Sequence, residues 1–187
     1  MKLRDVPWLT EGAISFLREF IVKNPLPKVL EFGSGASTLW FDKLSSIVIS
    51  IEHNQEWFNI INPLVSEKTK IIFHKANNIK NPGGQNNIWL DYTDFIDDDY
   101  SIEARKFPND YFDIILIDGR NRVLCCQEAR QKLKSKGLIV LDNSERNAYK
   151  ECFNLCIDFK IFHFVQEKPD LYGSFCKGWT TTIWVKP

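Results

Sequence analysis

Five short apolar runs constrain this chain more than any other feature. They are KVLEFG (28–33), SIVISIE (46–52), KIIFH (70–74), YFDIILID (111–118) and GLIVLD (137–142). None shows the strict apolar-polar alternation of a strand with one face in water. Strands of this kind are covered on both faces, as in a parallel sheet sandwiched between helices. The segments between them supply the helices. LTEGAISFLREFIVKN (9–24) has helical apolar spacing with Thr10 as its cap, and Pro25 and Pro27 end it. STLWFDKL (37–44), NQEWFNIINPLV (54–65, capped by Asn54), RVLCCQEARQKLK (122–134) and a stretch near 146–157 are further expected helices. IFHFV (161–165) and TTTIWVK (180–186) alternate more and are joined by a loop of 14 residues. They are expected to pair antiparallel at the sheet's edge. The expected architecture is an α/β domain spanning 1–187, with a doubly wound, seven-stranded, mostly parallel sheet ending in an antiparallel pair.

Bulk properties exclude several partners. The 24 basic and 24 acidic residues cancel, so no net field draws the chain to nucleic acid or a membrane surface. No apolar run approaches a membrane span. MKLRDVPWLTEG lacks the apolar stretch of a signal peptide, which makes the cytoplasm the expected location. Five cysteines, two of them adjacent (Cys125 and Cys126), make a poor disulfide framework and are expected as reduced, mostly buried thiols. Cys152 and Cys156 share a helical face near His163, but a zinc site needs a fuller set.

VLEFGSGASTLWF (29–41) is strand, glycine turn, helix. Gly33 and Gly35 permit a tight turn and close approach of a ligand to a helix N-terminus. Glu52 closes the next strand nineteen residues after Gly33. At that spacing a carboxylate accepts hydrogen bonds from ribose hydroxyls in nucleotide-binding α/β folds. A dinucleotide fingerprint would place glycine at position 38, where this chain has Thr38. Trp57 is expected in the core. The segment 79–110 is long and polar and contains Pro-Gly-Gly. Together with PWLTEGAISF (7–16) it is expected to cover the site and select the substrate.

At these residues the chain resembles the class I S-adenosylmethionine-dependent methyltransferases, which have a Rossmann-like fold. Their first motif, E/D-x-G-x-G-x-G, reads here Glu31, Gly33, Gly35, Ser37, with serine in place of the last glycine. The resemblance implies that Glu31, Gly33, Ser34, Gly35 and Ser37 surround the methionine part of S-adenosylmethionine. It implies that Glu52 holds the ribose, that His53 packs near adenine, that Asn77 contacts the adenine amino group and that Asp118 borders the cofactor.

FDIILIDGR and GLIVLDNSER end neighbouring strands of such a sheet with Asp118 and with Asp142-Asn143. Two carboxylates and an amide oxygen form a hard-oxygen set suited to Mg²⁺ or another divalent cation. The pattern is similar to that of the metal-dependent catechol and caffeoyl-CoA O-methyltransferases, and the resemblance implies metal-binding and catalytic roles for Asp118, Asp142 and Asn143. There a cation lowers the pKa of a hydroxyl and orients it for attack on the methyl group. Those enzymes carry a lysine base three residues after the first Asp, and this chain has Asn121. Three alternatives follow: the metal alone ionises the substrate, another base acts (His163 among the candidates), or no metal binds. Arg120 and Arg122 flank the position and are candidates for holding a carboxylate or phosphate of the substrate. The expected activity is methylation of a small molecule, at oxygen. A dinucleotide-dependent oxidoreductase and a non-catalytic nucleotide-binding scaffold are the alternatives.

Overall fold

The computed structural model describes residues 3–75, 99–173 and 178–187. Among these residues seven strands form one sheet: β1 (Lys28–Phe32), β2 (Ile47–Glu52), β3 (Thr69–Phe73), β4 (Phe112–Ile117), β5 (Leu133–Leu141), β6 (Lys160–Val165) and β7 (Thr180–Val185). The spatial order is β3-β2-β1-β4-β5-β7-β6. The first five strands run parallel, whereas β7 is antiparallel to both β5 and β6. This is the expected mostly parallel sheet with its antiparallel C-terminal pair.

The near-absence of alternation in the strands has a direct cause. On β4, Ile115 and Ile117 pack with Cys125, Cys126 and Ala129 on one face of the sheet. Ile114 and Leu116 pack with Leu17, Trp40 and Phe41 on the other. Both sets are withdrawn from water, and each such side chain contributes roughly 1.5–3 kcal/mol through burial. Helices α1 (Glu11–Lys23) and α2 (Ala36–Leu44) cover the second face, and α5 (Arg122–Lys132) and α6 (Glu151–Leu155) cover the first. Helix α3 (Gln55–Ile61) packs beside β2 and β3.

Some boundaries differ from those expected. Residues within the expected irregular segment 79–110 form a short helix, α4 (Asp99–Ile102), and a 3₁₀ turn (Glu103–Lys106). Tyr100 and Ala104 anchor them in the core. Two buried side chains suffice for this, and they leave no periodicity to read. β5 begins at Leu133, not Gly137, because Leu133 pairs with Phe112 before the ladder shifts register and resumes at Leu138 opposite Ile114.

The chain passes from β1 outward through β2 and β3, then crosses to β4 on β1's other side. The crevice beyond the carboxyl ends of β1 and β4 is therefore a topological switch point, where ligands bind in open α/β sheets.

Candidate active site

Two glycine-containing turns meet at this crevice. Gly33 follows β1 with φ of +100°, and a Cβ there would lie 2.8 Å from the backbone nitrogen of Gly119. A Cβ on Gly119 would lie 2.0 Å from the Tyr100 hydroxyl and 3.0 Å from the Gly33 nitrogen. Only glycine fits either position. Gly35 differs: it is extended at φ −179°, and nothing lies within 4 Å of a Cβ built there. Its open side is room for a ligand.

Glu31 lies buried beneath the first turn and accepts hydrogen bonds from the hydroxyls of Thr38 (2.5 Å), Ser50 (2.6 Å) and Ser37. Burial raises its pKa to about 7, and the nearby Glu52 charge adds to the rise, while the three hydroxyls oppose it. Glu31 does not line the cleft; it acts through the turn that it holds. Thr38, where a dinucleotide fingerprint would have glycine, accepts the Gly35 N–H at 2.9 Å while donating to Glu31. Its spacing from Gly35 is that of a capping box, and this is the signal in the sequence that marks its role.

Glu52 faces the same turn. One carboxylate oxygen accepts the Ser34 N–H at 2.6 Å, and the other accepts those of His53 (2.8 Å) and Asn54 (2.6 Å). The His53 ring stands edge-on to Tyr100 at 5.9 Å. Asn54 caps α3 as expected, accepting the N–H groups of Glu56 and Trp57 at 2.9 and 3.0 Å. This cap sets Trp57 on the wall of the cleft, half-buried rather than in the core.

The cleft has a volume of about 500 Å³. Gly33, Ser34, Gly35, Ser37, Glu52, His53 and Trp57 line it, together with Leu3, Arg4, Trp8, Asp118 and Arg120. Arg4 pairs with Asp170 at 2.5 Å and lies against the rings of Trp8 and Tyr172, so the N-terminal segment is tied over the crevice. Asn77, Cys176 and the 79–98 part of the expected cover lie outside the described residues.

The strand ends converge, but on a side chain. Asp118 and Asp142-Asn143 do meet beyond β4 and β5. Between them sits the guanidinium of Arg122, 5% exposed. Its Nε donates to the Gly119 carbonyl (3.0 Å). Its Nη2 donates to the Asp118 carbonyl (2.8 Å) and carboxylate (3.1 Å). Its Nη1 donates to the Asp142 carbonyl and, at 3.4 Å, to the Asn143 side-chain oxygen. Arg122 therefore faces inward, whereas Arg120 lines the cleft. One oxygen of the Asp142 carboxylate, Oδ1, accepts from Trp179 Nε1 (2.9 Å) and Thr181 Oγ1 (2.7 Å). Burial raises the pKa values of both Asp118 and Asp142, and the charge of Arg122 opposes both rises. Asp118 remains 29% accessible, on the cleft side.

Asn121 and Asn143 adopt the left-handed conformation at φ 48° and 50°, which asparagine tolerates better than most residues. Asn121 is buried, and its carbonyl accepts the Cys125 N–H at 2.8 Å as α5 begins. Asp142-Asn143 is a turn, with the Arg146 N–H bonded to the Asn143 carbonyl at 3.1 Å. His163 lies on β6, stacked on Phe153 and bonded to Thr182 at 2.9 Å, and does not line the cleft. Cys125, Cys126, Cys152 and Cys156 are buried free thiols. Among the described residues no set of three or more His, Cys, Asp or Glu side chains is placed to hold a metal ion. The oxygen set expected for Mg²⁺ does not fit one either, since a guanidinium stands among the donors.

No protein-family profile matches the chain, and no curated protein matches it. Solved structures do. A Staphylococcus aureus protein assigned as a caffeoyl-CoA O-methyltransferase superposes with a TM-score of 0.59 at 14% identity, covering 97% of this chain and 86% of that one. A methyltransferase-like protein from Silicibacter pomeroyi gives 0.59 at 20% identity, covering 100% and 91%. Precorrin 8w decarboxylase from Methanobacterium thermoautotrophicum gives 0.57 at 14%, covering 100% and 96%. The chain has the fold that these proteins share.

Proposed function

We propose that this chain is an S-adenosylmethionine-dependent methyltransferase acting on a small-molecule acceptor at oxygen. One observation carries the reading. Glu52, at the end of β2, is hydrogen-bonded to the Gly33–Gly35 turn at the start of α2, and the two together line a cleft of about 500 Å³. A carboxylate there suits ribose hydroxyls, the open side of Gly35 suits close backbone approach, and Trp57 and His53 offer flat surfaces to a purine. The volume is ordinary for a small-molecule site. The methyltransferase neighbours agree with this reading at the level of fold.

The cofactor supplies a methyl group made electrophilic by a sulfonium charge. The protein's part is positioning and water exclusion. Asp118 lines the cleft beside the Gly33 turn and is a fitting hydrogen-bond acceptor for a hydroxyl of the acceptor. Arg120 also lines the cleft and is a fitting partner for a carboxylate or phosphate on the acceptor. Trp8 and Leu3 add apolar surface to the cleft wall.

Calorimetric titration tests the reading. Saturable binding of S-adenosylmethionine, with none of NAD(H), is expected. Binding of NAD(H) alone would establish the dinucleotide reading instead, and binding of neither would leave a scaffold.

A further inference from the structure

We infer that the Arg122 guanidinium is the resident cation of this site, standing where the metal-dependent O-methyltransferases resembled by the sequence carry a divalent ion. Asp118, Asp142 and Asn143 are then positioning residues for that guanidinium. The inference rests on the methyltransferase reading only for what the cation serves.

The hydrogen bonding is complete. A guanidinium offers five N–H donors in a rigid fork, and Arg122 meets five acceptors: the carbonyls of Gly119, Asp118 and Asp142, the Asp118 carboxylate and the Asn143 amide oxygen. These acceptors come from the turns after both β4 and β5, so one side chain clamps the two strand ends together. Arg122 bonds the backbone carbonyl of Asp142, while Oδ1 of its carboxylate is engaged by Trp179 and Thr181. A divalent ion would have to share this space with a fixed positive charge.

The position of the arginine points the same way. Arg122 is the first residue of α5 and is buried. A cation at a helix N-terminus opposes the helix dipole, and burying it adds a desolvation cost. The two aspartates and the Tyr149 ring beneath the guanidinium at 5.0 Å offset both. The enzymes that the sequence resembles carry a lysine where this chain has Asn121. The buried cation here is Arg122, which follows the left-handed Asn121 and faces inward. With Arg122 fixed, the Asp118 carboxylate is held at the cleft beside a permanent positive charge.

Mn²⁺ binding tests the inference without reference to an acceptor. The full chain is titrated with Mn²⁺, with and without S-adenosylmethionine, and free Mn²⁺ is read by electron paramagnetic resonance. The wild type and Arg122→Lys should leave the free-ion signal undiminished. Arg122→Ala frees the Asp118 carboxylate and the Asn143 amide oxygen and removes the positive charge beside the Asp118 and Asp142 carboxylates. It should bind Mn²⁺ about tenfold or more tighter than the wild type, and Mn²⁺ should raise its melting temperature. Saturable Mn²⁺ binding to the wild type that disappears in Asp142→Asn overturns the inference, and this arm decides even if Arg122→Ala fails to fold. A folded Arg122→Ala that binds no more Mn²⁺ than the wild type also overturns it. A parallel calorimetric titration with S-adenosylmethionine keeps the two readings apart: its failure removes the methyltransferase reading and leaves the Mn²⁺ result to judge Arg122 alone.

Discussion

The carboxylate of Glu52 accepts the backbone N–H of Ser34 at 2.6 Å, tying the end of β2 to the turn that follows β1. Together with its bonds to the N–H groups of His53 and Asn54, this makes Glu52 both a wall of the cleft and a fastening of it. Glu52→Ala strands three N–H groups and removes the ribose acceptor. It should cost about 3 kcal/mol of stability and lower S-adenosylmethionine affinity by roughly 100-fold. Chemical denaturation and calorimetry measure the two effects separately. An unchanged affinity would remove Glu52 from the cofactor site.

The two turn glycines should respond differently. Gly33→Ala puts a side chain at a positive φ and against the backbone of Gly119, and is expected to destabilise by about 1–3 kcal/mol. Gly35→Ala meets nothing, so its melting temperature should match the wild type's while cofactor affinity falls by roughly tenfold. Wild-type affinity in Gly35→Ala would mean that no ligand approaches this side of the turn.

Glu31 links stability to pH. Its pKa in the folded chain is about 7 against an ordinary value of 4.5, so between these values the folded chain keeps a proton that the unfolded chain has released. The contribution of protonated Glu31 is therefore complete below the lower value and is lost as pH rises to the upper one. Relative to the wild type, Glu31→Gln should gain about 3 kcal/mol across that window. Urea denaturation at its two ends gives the comparison, and a difference that does not vary with pH would refute the assignment.

Trp57 lines the cleft on the first turn of α3 and is half-buried. Trp57→Ala should weaken cofactor binding by about tenfold, with little change in melting temperature, because the indole ring serves the purine more than it serves the core. A large drop in melting temperature with unchanged affinity would return it to a structural role.

Much of this fold is legible along the chain because its determinants are short-range. Apolar runs without alternation specify strands covered on both faces. Pro25 and Pro27 end the first helix, Asn54 caps the third, and Gly33, Gly35 and Glu52 mark the crevice by spacing alone. What the tertiary structure decided are the partnerships of buried polar groups. Arg122 reads as a substrate-binding residue from its position beside Arg120, yet it turns inward onto residues twenty and more positions away. Asp142 and Asn143 read as metal ligands until Trp179 and Thr181, brought in by β7, claim one face of the carboxylate and Arg122 fills the space between the strand ends. Glu31 reads as a cofactor-binding residue; in the folded chain it is fully buried and accepts from hydroxyls of α2 and β2. Backbone periodicity and turn chemistry are written locally. The pairing of a buried charge depends on which distant groups the packed sheet brings within hydrogen-bonding reach, and that only the folded chain defines.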